Sequence, residues 1–321
     1  MAVFGRSDIN RKFFPIALAL LSTEEAINYS DFFMAIIQVC HDFKINFVVH
    51  FIMMDAADEE AKAARNCFLN CIIIMCWFHL VKNVRDPKHA GSKLCKVTKI
   101  YDMIMADINT MHFCTSQQSF NDTTKEILDK WSCLVWNKRV RKELLNFRDY
   151  FIKQWLNPPF NNWQIFNTPP GYVTTNNPEE SFNKVFKAAY TNDERVTMGR
   201  VCDFMCTCVY DYSTTHANQP FALVASRNNA IINDAKNRYS SANFILVHSN
   251  LVNYRNDRGE FKYYITFSPR FCSCPWFLDV ANCRHYIAAC LLLGYVDEND
   301  REFIIARGRG RPKTARGALT R

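Results

Sequence analysis

Residues 45–79, INFVVHFIMMDAADEEAKAARNCFLNCIIIMCWFH, hold the pattern that decides the fold. The apolar run Ile45–Met54 is rich in β-branched and aromatic residues and stops at Asp55. A stretch with helical spacing follows over Ala56–Asn70, and another apolar run, Ile72–Phe78, comes after it. Strand, helix and strand in this order predict an α/β sheet covered by helices.

The flanking segments extend this organisation. Phe13–Leu21 is a further apolar run of strand length, and Tyr29–Phe43 has helical spacing. Residues 86–168 contain helical patterns and no convincing strand, so we expect an all-helical insertion there. We divide the chain into an α/β domain over 1–85 and 169–215, the helical insertion over 86–168, a small unit over 240–295 and a tail over 300–321.

The small unit is predicted to be ββα. Phe244–Tyr254 and Phe261–Phe267 alternate like strands, and Asn256–Gly259 between them is a favourable hairpin turn. A helix is expected near His285–Leu293. This unit of about 50 residues has room for only a small core, which a bound metal would help to stabilise.

Four residues of this unit have zinc-ligand spacing, in the pattern C-x-C-x8-C-x-H. They are Cys272, Cys274, Cys283 and His285. Three thiolates and an imidazole form a common closed zinc site, so the expected cofactor is a structural Zn²⁺. The alternative is that four unliganded side chains happen to lie close together.

Candidate catalytic residues have competing structural explanations. Asp55 follows a buried strand, where open α/β sheets place functional groups, yet Asp is also a favoured helix N-cap. Glu180 lies in the segment TNNPEESFN (175–183), where Asn177 as N-cap would make it part of a capping box. Cys76 and His79 are a candidate second metal half-site, or a core pair beside the strand.

These motifs in this order resemble the Mutator-like element (MULE) transposase domain, and the C-x-C-x8-C-x-H segment resembles the SWIM zinc finger. The resemblance implies a ribonuclease H-like sheet whose three carboxylates (a DDE triad) hold two Mg²⁺ or Mn²⁺ ions for phosphoryl chemistry on DNA. It places Asp55 at the second carboxylate and Glu180 at the third. Asp8 matches a turn rather than the first carboxylate, so we expect an incomplete sheet, an absent first Asp and no strand transfer.

Charge is concentrated at the C-terminal end. The net charge is +8, and residues 301–321 hold seven basic side chains against one acidic one, Glu302. The segment Arg307–Lys313 resembles an AT-hook, in which a flat Gly-Arg-Pro path can lie in a narrow A·T minor groove. The candidate DNA-binding residues are Arg309, Gly310, Arg311, Pro312 and Lys313, and the alternatives are an import signal or a plain flexible tail.

Composition narrows the class of protein. The densest apolar run, Cys71–Val81, is too short to span a bilayer, so no membrane partner is expected. The 14 cysteines are too sparse for a small disulfide scaffold, which favours a reducing compartment. With the basic tail, this leads us to expect a nuclear location.

Three functions are compatible with these patterns. The favoured one is a transposase-derived, zinc-binding protein that binds double-stranded DNA and is not an active enzyme. The first alternative is an active MULE transposase whose gene prediction is truncated. The second is a non-enzymatic module that binds protein partners through its zinc unit.

Overall fold

The computed structural model describes residues 1–85, 98–134, 138–191, 196–215, 221–223 and 229–295. By their contacts these residues divide into two compact units. The first contains the described residues up to 223 together with 273–281, and the second contains 229–272 and 282–295. No described helix is long and apolar enough to cross a membrane.

The first unit begins with an antiparallel pair of strands, β1 (Ala2–Ser7) and β2 (Phe13–Ala19). Asp8 fixes the turn between them, because its Oδ1 accepts a hydrogen bond from the backbone N–H of Lys12 at 2.8 Å. Only 3% of Asp8 is exposed. This agrees with the assignment of Asp8 to a turn. Helix α1 (Ala26–Asp42) follows.

A parallel strand pair with a helical crossover forms the next part: β3 (Phe51–Met54), α2 (Asp58–Cys67) and β4 (Ile72–Met75), followed by helix α3 (Trp77–Arg85). Both strands are shorter than the sequence predicted. The pairing with β4 begins at Phe51, so residues 45–50 lie outside the strand, although the carbonyl of His50 accepts the N–H of Ile72 at 2.9 Å. Trp77 and Phe78 lie in helix α3 and not in the strand. The last backbone hydrogen bond between the two strand segments joins the N–H of Cys76 to the carbonyl of Met54, and α3 begins at the next residue.

These strands form two separate two-stranded sheets within the described residues, β1 with β2 and β3 with β4. The mixed α/β character is therefore confirmed, while a continuous ribonuclease H-like sheet stays a prediction. Aromatic packing links the two sheets on one face. Phe4 of β1 lies 6.2 Å, between ring centroids, from Phe47 in the extended segment before β3 and also from Phe68 after α2.

The region predicted to be helical contains α4 (Thr98–His112), α5 (Gln117–Cys133) and α6 (Lys138–Phe151), then single helical turns at Ile152–Leu156 and Ile165–Asn167. No strand occurs in its described part. Large aromatic side chains, each at most 1% exposed, fill its centre: Trp131, Phe147, Phe151, Trp155 and Trp163. They belong to the same hydrophobic cluster as the residues of α1, α2 and β4.

Helix α7 (Asn177–Phe186) and a helical turn at Lys187–Thr191 come next, and α8 (Met198–Thr215) completes this series of helices. Phe182 of α7 packs on Phe13 of β2, with ring centroids 5.5 Å apart. This contact brings the start of α7 towards the strands of the first unit.

The second unit contains α9 (Asn229–Arg238), the strands β5 (Phe244–His248), β6 (Leu251–Arg255), β7 (Phe261–Thr266) and β8 (Phe271–Cys272), and the later helix α11 (Arg284–Leu293). The strands form an antiparallel sheet in the order β5-β6-β7-β8. The short helix α10 (Pro275–Val280) belongs to the first unit.

The predicted ββα outline is wrong in its strand count. Phe244–Tyr254 is a hairpin and not one strand, because the chain turns at Ser249 and Asn250, where the Asn250 side chain accepts the N–H groups of Phe267 and Ser268. The predicted turn Asn256–Gly259 is present, and Gly259 adopts a φ of 77°, a conformation that favours glycine.

Candidate functional site

The four predicted zinc ligands lie together. Cys272 ends β8, Cys274 caps α10, Cys283 caps α11, and His285 lies in the first turn of α11. One ligand atom from each residue lies within 4.8 Å of those of the other three, and all four residues are buried. The helix expected near His285–Leu293 is present as α11, and Cys283 and His285 lie at its start.

The polar contacts of these ligands suit a zinc ion. The Sγ of Cys274 accepts the N–H of Phe277, and the Sγ of Cys283 accepts that of Tyr286, each at 3.3 Å. Such donors stabilise thiolates. The Nδ1 of His285 is buried and has no hydrogen-bond partner within the described part of the chain. A buried ring nitrogen without a partner is costly, and a Zn²⁺ ion would satisfy it.

Aromatic rings hold His285 in position. The ring centroids of Tyr254, Tyr263 and Tyr239 lie 4.7, 5.0 and 5.5 Å from that of its imidazole. Because the rings come from two strands and from the segment after α9, the sheet fixes the direction in which the histidine points. The donor set and its burial thus fit a closed structural zinc site.

A second cluster lies in the first unit, at the carboxyl ends of β3 and β4. The Nδ1 of His79 is 2.7 Å from Oδ1 of Asp55 and 3.3 Å from Sγ of Cys76. Ligand atoms from these three residues lie within 4.8 Å of one another. Asp55 is not a helix N-cap, because α2 begins at Asp58 with Ala57 as its cap.

Asn176 joins the members of this cluster. Its Nδ2 donates to Oδ1 of Asp55 at 2.7 Å, its Oδ1 accepts from Sγ of Cys76 at 3.1 Å, and its backbone N–H points at the same sulfur at 3.4 Å. The predicted capping box is therefore wrong. Asn176, and not Asn177, is the N-cap of α7, and its side chain leaves the helix terminus to bind Asp55.

Glu180 lies on the other side of the imidazole. Its Oε1 is 3.6 Å from Nε2 of His79, so that the histidine separates the two predicted catalytic carboxylates. Hydrogen bonding to Asp55, and then to Cys76, raises the pKa of His79 from 6.5 to about 10, against the opposing effect of burial. In the absence of a metal ion the ring is therefore an imidazolium between two acidic side chains.

Two further acidic residues surround the cluster. Burial, followed by the charges of Asp55, Glu179 and Glu24, raises the pKa of Glu60 from 4.5 to about 7. Burial also raises the pKa of Glu179, which accepts a hydrogen bond from Asn183 at 2.8 Å. Sequence reasoning missed Glu60, Glu179 and the role of Asn176, because only the fold brings α2 and α7 to the same place. Asn176 lies in the quoted segment 175–183, four residues before Glu180, and this proximity in sequence was the one indication that it could belong to the site.

The predicted DNA-binding residues Arg309, Gly310, Arg311, Pro312 and Lys313 lie outside the described residues.

Two families match the chain. The MULE transposase domain matches residues 1–83, and the SWIM zinc finger matches residues 251–294. The resemblance drawn from the sequence motifs is thus confirmed, and the matches support a transposase-derived zinc-binding protein. Glu180 lies outside both matched regions. No curated protein and no solved structure matches the chain.

Proposed function

We propose that this chain, which combines a MULE transposase domain with a SWIM zinc finger, is a transposase-derived protein that binds zinc and double-stranded DNA and has no strand-transfer activity. The observation that carries the zinc-binding part of the proposal is the buried Cys272, Cys274, Cys283 and His285 cluster with its unpartnered imidazole nitrogen. A metal held there would be structural, since the protein supplies all four ligands. Binding of the metal would stabilise the folded state of the second unit.

The surroundings of Asp55 argue against DDE chemistry. Mg²⁺ requires oxygen ligands in near-octahedral geometry and binds through carboxylates and water. The Oδ1 of Asp55 is instead bonded to His79 and Asn176, and the Cys76 sulfur is next to them. Glu180 contacts the far nitrogen of the same ring. This donor set does not fit a pair of Mg²⁺ ions. Asp8 does not replace the absent first carboxylate, because its Oδ1 is hydrogen-bonded to the Lys12 N–H within the β1–β2 turn.

DNA binding rests on charge. Most of the net positive charge comes from residues 301–321, and the Arg-Gly-Arg-Pro path suits a narrow A·T minor groove. A protein with this partner is expected in the nucleus. The zinc unit is the proposed surface for protein partners.

The test is binding of the full chain to A·T-rich and G·C-rich duplexes over a range of salt concentrations. Deleting residues 306–321 removes six basic side chains, so affinity and salt slope should both fall, by about 0.9 in slope for each phosphate that is no longer neutralised. The control variant carries Arg309→Lys and Arg311→Lys. It should keep the salt slope and lose preference for A·T, because lysine keeps the charge without the planar guanidinium.

The outcomes separate the candidate functions. An unchanged slope after the deletion would remove the tail from the DNA contact. Absence of any salt-dependent binding would favour the protein-interaction module instead. The enzymatic alternative is tested by a nicking assay.

A further inference from the structure

The cluster at the ends of β3 and β4 has the composition of a transition-metal site rather than of an alkaline-earth site. It offers one carboxylate oxygen, one sulfur and one imidazole nitrogen, from Asp55, Cys76 and His79. Sulfur and imidazole select Zn²⁺ and related ions over Mg²⁺. Cys76 is fully buried, which shields the sulfur from solvent.

The distances between the donor atoms are close to those that zinc imposes. A tetrahedral Zn²⁺ with ordinary bond lengths separates an oxygen from a nitrogen ligand by about 3.3 Å and a nitrogen from a sulfur ligand by about 3.6 Å. Nδ1 of His79 is 2.7 Å from Oδ1 of Asp55 and 3.3 Å from Sγ of Cys76. Movements of a few tenths of an ångström would therefore admit the ion, which replaces the proton on Nδ1 as metals do on histidine.

The surrounding contacts are those that support metal ligands. A histidine bound through one nitrogen usually donates its other N–H to a carboxylate. Here Nε2 of His79 faces Oε1 of Glu180 at 3.6 Å. The backbone N–H of Asn176 points at the Cys76 sulfur at 3.4 Å, and its Nδ2 orients the Asp55 oxygen at 2.7 Å.

We propose that Asp55, Cys76 and His79 bind a second Zn²⁺ ion, with one coordination position left to water and with Glu180 and Asn176 as positioning residues. Three protein ligands and one open position distinguish this site from the closed site at Cys272, Cys274, Cys283 and His285. The proposal is independent of DNA binding. It assigns the C-x-x-H motif and the two carboxylates to one site.

The experiment is elemental analysis of the purified full chain. Wild-type protein should hold two zinc ions per chain, and Cys76→Ser or His79→Gln should each lose one. Cys283→Ser should lose the other, which separates failure of this proposal from failure of the zinc finger. Cys67→Ser, a half-buried cysteine outside both clusters, is the matched control and should keep both ions.

A substitution at a positioning residue gives a second readout if Cys76→Ser does not fold. Glu180→Gln retains all three ligands, and its zinc affinity at this site should be about 10- to 100-fold weaker by chelator competition. The Co²⁺-loaded chain should also lose one thiolate-to-cobalt absorption component in Cys76→Ser. One zinc per wild-type chain, or two in folded Cys76→Ser, would overturn the proposal.

Discussion

At the residue scale, Asn176 and His79 determine how the predicted catalytic residues are used. Asp55, which sequence reasoning divides between a helix cap and a catalytic role, is bonded to both of them and caps no helix. The Oδ1 of Asp55 therefore already has two polar partners. The first unit therefore places a carboxylate with a hydrogen-bonded Oδ1 where open α/β sheets carry functional groups.

Replacing Asn176 with alanine should lower the free energy of unfolding by about 1–3 kcal/mol, because Asp55 and Cys76 each lose a half-buried partner. Urea denaturation measures the change. Asn177→Ala is the matched control, since Asn177 is exposed and should change stability by no more than about 0.5 kcal/mol. Equal effects of the two substitutions would contradict this role for Asn176.

Glu60 should make stability depend on pH. Its pKa is raised from 4.5 to about 7 in the folded protein, so the folded protein binds this proton more tightly than the unfolded chain does. The resulting destabilisation is absent below about pH 4.5, grows as pH rises and is complete above about pH 7. Glu60→Gln should therefore stabilise the protein at pH 8 by on the order of 2–3 kcal/mol and leave it unchanged at pH 4.5. Denaturation at both pH values tests this, and a pH-independent effect would refute it.

At the element scale, α10 depends on a close backbone approach. The N–H of Gly171 donates to the carbonyl of Leu278 in α10 at 2.8 Å. Gly171 has a φ of 87°, and a Cβ added to it would lie 2.1 Å from Cβ of Ala281, the residue that ends α10. Only glycine meets both requirements without displacing that helix end. Gly171 is thus required for this close packing against α10.

Gly171→Ala should destabilise the protein by about 2–4 kcal/mol, combining the cost of a positive φ with overpacking. Gly199→Ala is the matched control. Gly199 lies in the first turn of α8 with open space around the position of a Cβ, so alanine should be neutral or stabilise by up to about 1 kcal/mol. Urea denaturation of both variants measures the difference, and a neutral Gly171→Ala would show that the α10 contact can relax.

At the scale of the whole molecule, the two matched families account for separate parts of the chain. The MULE match covers the β1–β4 region, and the SWIM match covers the segment that contains all four predicted zinc ligands. The donor atoms around Asp55 are of mixed chemical type, whereas those of the zinc finger are the usual closed set. We therefore expect metal-dependent folding and no metal-dependent DNA cleavage.

Supercoiled plasmid incubated with the full chain and Mg²⁺ or Mn²⁺ should show no nicking above the level of the Asp55→Ala variant. The physical reason is that the Asp55 oxygen lies beside the His79 nitrogen and the Cys76 sulfur, a mixed donor set that suits a softer cation better than Mg²⁺. Nicking that disappears in both Asp55→Ala and Glu180→Gln would instead establish the enzymatic alternative.

The sequence by itself determined what is local. The C-x-C-x8-C-x-H spacing gives the four side chains that the structure brings together as a candidate zinc site, and strand–helix alternation gives the α/β class, because both depend on residues near one another along the chain. Only the tertiary structure shows which distant segments are in contact. Asn176 is 121 residues from Asp55, and no periodicity shows that its side chain binds Asp55 instead of capping α7. The predicted strand lengths were wrong for the same reason. A hydrophobic run such as Ile45–Met54 does not show where the neighbouring strand begins, and β3 is paired with β4 only from Phe51 to Met54.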